Sequence, residues 1–420
     1  MKRCPTEAIR VRAGKAYIIS ERCIDCGECI RTCQHRAKKV NADEFDVMDG
    51  FKWKIALPAP SFYGQFEGVK DINTILTALK LIGFDDVFEV SRAAELVSYL
   101  SQKAVKELRN KLDGPVISSA CPAVVRLIRV RYPQLCGNVL PINEPMVIAA
   151  RMARAEAVKK TGLKPEEIGT FFITPCPAKV TAAKAPLGIE DTQVSGVLPA
   201  SKVYTKVLSV LRKAAENTEL LAASGRIGVS WAMGGGETAG LLNKNTLRAH
   251  SIEHVIKVLD ELDNEKMQNL DFVELGACPG GCVGGVLHVA NPFAAEAKLK
   301  ELRSYLPLTG RPVDEDRDYS DFYLEKTLEF EPVYKLADDR VKAIEKQRAI
   351  NRLQECLPGL DCGICGSPSC RAFAEDVING KAEEGDCIVR ISDELRKLPL
   401  SPEELRHLIP LPFRHREPSE

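Results

Sequence analysis

Apolar positions along the chain form two kinds of run. One kind is short, dense and bounded by turn residues: Phe51-Lys52-Trp53-Lys54-Ile55-Ala56-Leu57 before Pro58, Val116-Ile117, Phe171-Phe172-Ile173, and Phe272-Val273-Glu274-Leu275. Runs of that length and make-up read as strands. The other kind recurs every three or four residues. After Ser91, Leu96, Leu100, Ala104 and Leu108 make one face of an amphipathic helix, and further helices are expected around 146–160, 241–263 and 293–304. Strands interleaved with helices predict an α/β fold. Past Pro307 the pattern stops at the acidic stretch Asp314-Glu315-Asp316-Arg317-Asp318, a linker by composition, before a charged helix around 338–354. From Leu400 the chain is spaced by prolines and reads as peripheral.

Length and charge narrow the function classes. The 420 residues, 45% of them hydrophobic, are enough for about three ordinary domains. With 58 Lys and Arg against 58 Asp and Glu, there is no electrostatic footprint for nucleic acid or anionic lipid. Met1-Lys2-Arg3-Cys4-Pro5 is followed by no apolar leader, and no stretch approaches the roughly 18 apolar residues of a membrane span, so a cytoplasmic protein is expected. Cysteine is the unusual count: 15, beside 6 His. In a reducing compartment such thiols do not form a disulfide scaffold. A thiol-rich, histidine-poor chain points to iron-sulfur clusters or structural zinc, and spacing has to choose.

Near the start, Cys23-x2-Cys26-x2-Cys29-x3-Cys33 has the bacterial ferredoxin spacing, in which three thiolates of one loop grip a 4Fe-4S cube and the fourth ligand comes from elsewhere. In two-cluster ferredoxins, which this segment resembles, a Cys followed by Pro completes the cluster of the other run. Cys4-Pro5 is therefore expected to join Cys23, Cys26 and Cys29 in one cluster. Cys33 is left over for a second cluster whose other ligands would precede residue 1, so either the start is truncated or that cluster has been lost. Zinc is the competing occupant, though zinc knuckles rarely use three cysteines at uniform spacing. Near the end, Cys362-x2-Cys365-x4-Cys370-x16-Cys387 resembles the small 4Fe-4S domain of electron-transfer and corrinoid-linked proteins over roughly residues 345–395. Its glycines let backbone N–H groups approach cluster sulfides, and Arg371 to Gly380 reads as a helix behind the loop. Structural zinc is again the alternative, and Cys356, outside the pattern, reads as an ordinary buried thiol.

Three segments between these ends share one design, an apolar strand and then a turn with Cys directly before Pro: Cys121-Pro122, Cys176-Pro177 and Cys278-Pro279. In open α/β sheets ligands collect at the carboxyl ends of strands, so these thiols can converge. A fourth arrives in Gly280-Gly281-Cys282-Val283-Gly284-Gly285, whose glycines permit close backbone approach. Four thiolates complete a 4Fe-4S ligand set.

Over about residues 50 to 300 these segments resemble the three signature motifs of the diiron, or [FeFe], hydrogenases, which interconvert hydrogen with protons and electrons at an H-cluster. The resemblance implies that Cys121, Cys176, Cys278 and Cys282 hold a 4Fe-4S cube and that Cys282 also bridges to a diiron subsite carrying CO, cyanide and a dithiolate amine. It implies that Lys179 hydrogen-bonds a cyanide ligand, which makes Cys282 and Lys179 the catalytic candidates. Val125-Arg126-Leu127-Ile128 and Tyr132-Pro133 follow the same pattern, and Gly234-Gly235-Gly236-Glu237 matches a glycine-rich loop near the subsite.

Departures from the family pattern are as informative. The cysteine that passes protons to the diiron site is Ala120 here, and the relay carboxylate six residues after the second ligand is Ala182. A methyl group carries no proton. Methionines that pack on the subsite are replaced by Thr174 and Gly276. This combination resembles the sensory branch of the family, without the PAS domain often found there. The function expected is slow, reversible H2 oxidation and proton reduction, an H2 or redox sensor, with electrons passing through the flanking clusters to a partner such as ferredoxin or a signalling protein. Maturation proteins would have to install the diiron site. An iron-sulfur electron carrier or cluster-handling protein without that subsite is the alternative, and a pure sensor without turnover a third.

Other residues are expected to serve structure. Cys136 lies on no metal spacing and reads as packing. His288 and Glu237 sit near cluster loops as supporting groups, and His250 and His254, read at helical i, i+4 spacing, as a solvated face. The organisation expected is a two-lobed α/β hydrogenase H-domain at 50–306 between a ferredoxin-like 4Fe-4S domain at 1–46 and a small 4Fe-4S domain at 341–396, with a linker at 307–340 and a tail at 397–420.

Overall fold

A computed structural model describes residues 1–413 apart from 36, 311, 312 and 315. Glu315 of the acidic stretch and residues 414–420 of the expected tail lie outside the described residues. The chain forms two compact units, one gathering Met1–Cys23 with Pro332–Glu420 and the other running from Ile24 to Glu331.

In the first unit, strands β1 (Ile9–Arg12) and β2 (Lys15–Ile18) make an antiparallel hairpin. Helices Arg340–Glu355 and Cys370–Ile378 enclose a small core of Ile350, Leu353, Leu357, Phe373 and Ala374. Arg10 is fully buried, and its guanidinium pairs with Asp376 at 2.6 Å. Asp376 also accepts from Arg12 at 2.7 Å and from Ser367 Oγ at 2.7 Å. A charge so buried is tolerable only because it is paired and hydrogen-bonded on several sides. The hairpin is further fastened by Val11 N–H donating to the Gly366 carbonyl at 2.8 Å.

The second unit contains two parallel sheets. Strands β3 (Trp53–Pro58), β4 (Asp86–Val87), β6 (Ile168–Thr174) and β7 (Gly196–Pro199) form one, in the order β4-β3-β6-β7. Strands β5 (Val116–Ile117), β8 (Thr246–His250) and β9 (Phe272–Gly276) form the other, in the order β5-β9-β8. Successive side chains point to opposite faces of a strand, and the core shows it. Leu57 and Phe172 join Leu96, Leu100 and Ile148 of helices Val90–Leu108 and Pro145–Thr161 on one face. Ala56, Phe171 and Ile173 join Ile75, Leu79 and Val203 of helices Ile72–Leu81 and Ala200–Glu216 on the other. Helices on both faces explain why β6 is buried along its whole length.

Helices expected around 146–160, 293–304 and 338–354 are found at Pro145–Thr161, Pro292–Ser304 and Arg340–Glu355. The helix expected over 241–263 is not continuous. Helix Gly236–Leu241 ends at Leu242 with φ +54°, the chain turns, β8 follows, and a new helix runs from Ile252 to Asp263. Ile252, Val255, Leu259 and Leu262 supply the helical period, whereas Thr246-Leu247-Arg248-Ala249-His250 is a polar edge strand held by pairing to β9. In the acidic stretch, Phe322 is buried in the first core face, and Leu324 N–H donates to the Pro141 carbonyl at 3.0 Å. Among the described residues no helix is long and apolar enough to cross a membrane.

Phe171 is fully buried, with Phe51 edge-on at 5.6 Å and Phe84 at 6.2 Å. Phe171→Ala should cost about 3–5 kcal/mol of stability, measured by urea denaturation of the iron-free protein.

Candidate functional site

Strands β5, β6 and β9 each run out into a cysteine-bearing turn. Pro122 and Pro177 occupy first helical positions, where the missing N–H has no partner to lose. Cys121 and Cys176 therefore stand just before helices Pro122–Arg131 and Pro177–Lys184, and neither thiol caps its helix. Both are free to serve a ligand at the positive end of a helix. Cys278 and Cys282 lie on a loop that only glycine can form: Gly281 has φ +93°, and a Cβ there would lie 2.6 Å from the Gly234 nitrogen. The loop closes through Gly234 N–H to the Gly280 carbonyl at 2.8 Å and Val283 N–H to the Ala232 carbonyl at 3.0 Å.

All four thiols line one cavity of about 110 Å³, and Lys179 joins them. Burial pushes the Cys176 thiol up to about 12 and that of Cys282 to about 11, and raises Cys278 well above the ordinary range, with neighbouring thiolates adding to each. In the iron-free protein these thiols hold their protons, which metal must displace. Burial opposes the Lys179 charge, but the facing Glu144 carboxylate outweighs it and keeps the ammonium charged. Lys179 Nζ pairs with Glu144 and donates to the Ala120 carbonyl at 3.2 Å. Thiols around a volume with largely apolar walls, with one cation among them, fit an anionic iron-sulfur group once metal displaces their protons.

The cavity wall also carries Ser61, Glu237, Glu274 and His250. Ser118 Oγ donates to Glu237 at 2.6 Å, and burial together with the Glu274 charge pushes Glu237 up to about 8. Burial would raise Glu274 too. The His250 ring, 3.4 Å away, and the N–H groups of Thr238 and Gly235, both at 2.8 Å, instead hold it below its ordinary value. His250 is not on a helix with His254, contrary to the spacing argument. It closes β8, and its ring sits between Gly234 and Gly276, where an added Cβ would fall 2.6 and 2.7 Å from ring atoms. His288 Nε2 lies 2.9 Å from Ser61 Oγ, and burial drags its pKa down to about 3, so the ring is neutral.

Cys362, Cys365, Cys370 and Cys387 line a second, small cavity of about 10 Å³ in the other unit, with Ser367 and Phe373. Helix Cys370–Ile378 stands where a helix behind the loop is expected, and Cys370 N–H donates to Asp361 at 2.6 Å. Cys356 is exposed rather than buried, because it ends helix Arg340–Glu355 on the outside of this unit's core. Cys136 is buried, with its Sγ 3.9 Å from the Tyr132 carbonyl, as packing requires.

The division between the units falls just after Cys23. Cys4 accepts from Ala8 N–H at 3.3 Å, and Cys33 from Ala37 N–H at 3.4 Å. Cys26 and Cys29 flank Gly27, whose φ is +77° and whose Cβ would lie 2.9 Å from Val286 and 3.5 Å from Pro177. Their loop therefore packs on the segments that follow Cys176 and Cys282, and Arg31 donates to the Gly284 carbonyl at 2.8 Å. Among the described residues, no three His, Cys, Asp or Glu are drawn closely enough to hold a single metal ion.

Glu144, Glu274, His250 and Ser61 were not singled out as site residues by the sequence. Glu144 carried one local signal, a carboxylate directly before the Pro that opens a helix. The others depend on contacts between distant segments.

Residues 52–203 and 195–286 match the family model described as iron only hydrogenase large subunit, C-terminal domain. Residues 357–389 match an Fe-S cluster family. Iron hydrogenase 1 of Clostridium pasteurianum is 22% identical over 310 residues, covering 63% of this chain and 54% of that protein. Oxy-4 of Caenorhabditis elegans, named as a cytosolic Fe-S cluster assembly factor, is 23% identical over 251 residues, covering 48% and 55%. The chain thus spans about half the length of these curated relatives. Among solved structures, the [FeFe]-hydrogenase HydA1 from Chlamydomonas reinhardtii aligns at 17% identity with a TM-score of 0.48, covering 61% of this chain and 86% of that one.

Two outcomes are expected from the site. Cys176→Ala should lower bound iron by about four atoms per chain, measured by metal analysis of anaerobically reconstituted protein, while Cys136→Ala leaves it unchanged. Lys179→Met strands the Glu144 carboxylate and should cost about 3–5 kcal/mol, most of it recovered in the Lys179→Met, Glu144→Gln double variant, read from urea denaturation without iron.

Proposed function

The chain belongs to the iron-only hydrogenase large-subunit family, and from that membership we propose that it is a hydrogenase-type oxidoreductase with attenuated turnover that reports hydrogen or redox state to a partner. One observation carries the reading: four thiols and a charged lysine, brought together from segments that follow different strands, line one cavity.

In this reading Cys121, Cys176, Cys278 and Cys282 hold a 4Fe-4S cube, and Cys282 and Lys179 face the diiron subsite. When bound, that subsite supplies the centre at which dihydrogen is split into protons and electrons, or formed from them. The chain excludes water with Ala59, Pro60, Phe172 and Val90 and provides a fixed cation at Lys179. Low dielectric makes that cation's interaction with an anionic ligand strong. The Ala120 methyl stands where a proton carrier would be needed, which supports slow turnover and a sensory role.

Cys362, Cys365, Cys370 and Cys387 are proposed to hold a second 4Fe-4S cube. The spacing of Cys4, Cys23, Cys26 and Cys29 supplies ligands for a third, with Cys33 spare. Clusters of this kind would suit electron exchange with a redox or signalling partner. Similarity to oxy-4 supports a second reading, a cluster-handling protein without the diiron subsite.

Infrared spectroscopy of anaerobically matured protein, under inert gas and then under hydrogen, separates the two. Carbon monoxide and cyanide bands that shift with hydrogen are expected; no bands despite competent maturation would leave the cluster-handling reading. Ala120→Cys should raise turnover only partially, because Ala182 still interrupts the relay, and a large gain in a hydrogen-evolution assay would contradict this account.

A further inference from the structure

An ammonium group has three N–H donors, and where they go can be counted. On Lys179, Glu144 takes one and the Ala120 carbonyl takes another. One donor remains for the cavity. Helix Pro177–Lys184 supplies no partner of its own, since Ala182, three residues on and hence on the same face, carries only a methyl. The carboxylate comes instead from Glu144, directly before helix Pro145–Thr161.

Glu144 and Ala182 both line a separate cavity of about 50 Å³, bounded also by Ser119, Arg126 and Leu324. That volume holds more than one water. The Lys179–Glu144 pair thus spans from the thiol-lined cavity, where Lys179 lies, to this second one, where Glu144 lies.

We propose that Glu144 is the positioning residue for Lys179. Its carboxylate accepts from an ammonium that no carboxylate on its own helix reaches, restricts that ammonium to a single donor toward the cofactor side, and thereby sets how strongly the subsite's cyanide is hydrogen-bonded. The proposal rests on the diiron reading above. A carboxylate that held Lys179 only for folding would leave the ligand vibrations unchanged once the cofactor was bound.

The test is infrared spectroscopy of matured wild-type, E144Q and E144Q/A182E proteins at matched iron content. The cyanide bands of E144Q should move by more than the spread among replicate preparations, because freed donors can turn to the cavity. They should return toward the wild-type position in E144Q/A182E, where the new carboxylate stands beside Lys179 on its own helix. Should E144Q fail to fold or hold iron, E144D carries the test: its shorter side chain draws the ammonium outward and should also move the bands. Unmoved cyanide bands in an iron-replete E144Q or E144D overturn the proposal while leaving the diiron reading intact. Absent bands in the wild type overturn both.

Discussion

Four thiols gathered at one cavity beside a buried ammonium are unstable company without a ligand, and much of the larger unit is arranged around the cost of keeping them there. Desolvation holds Cys176, Cys278 and Cys282 protonated in the iron-free protein and opposes the lysine's charge. Each penalty has a structural answer. Prolines open the two helices behind Cys121 and Cys176, so no backbone N–H competes for a partner there. Glycines let the Cys278–Cys282 loop close on its neighbour, and Glu144 offsets the lysine's desolvation. An iron-sulfur ligand completes this arrangement, because thiolates that lose their protons to metal no longer need water.

The smaller unit solves a similar problem with different means. Its core is slight, and the fully buried Arg10 reaches Asp376 from the N-terminal hairpin. Small cluster domains cannot rely on apolar area alone. Here an ion-paired network fastens the hairpin to the helix that begins at Cys370. The Arg12 guanidinium also donates to the Cys365 carbonyl at 3.0 Å, which ties that network to the cysteine loop itself.

Legibility in the sequence followed the range of the interaction. Cysteine spacing and Cys-Pro turns are local, so the four cavity thiols are legible in the sequence, whereas Lys179 is legible only through the family resemblance. Strong periodicity likewise placed helices Pro145–Thr161 and Arg340–Glu355. The failure at 241–263 was physical. The five-residue edge strand Thr246–His250 alternates, but with only Leu247 and Ala249 as apolar positions, and it is held by pairing to β9, so the stronger helical period of the flanking residues masked it. That error also hid His250, whose place in the cavity wall depends on two distant glycines. The burial of Arg10 was invisible for the same reason, since its partner stands 366 residues away.

Substitutions at the cavity wall do not all weaken the same property. In the proposed reading Ala120 and Ala182 stand where proton carriers would be needed, whereas the Lys179–Glu144 pair fixes charge at the cavity. A site altered by drift alone would lose binding and transfer together. This one combines a thiol-lined cavity and a fixed cation with methyl groups at Ala120 and Ala182. If the proposed redox group is held there, slow proton movement would make its state persist, and such persistence is what the proposed reporting role requires of the site.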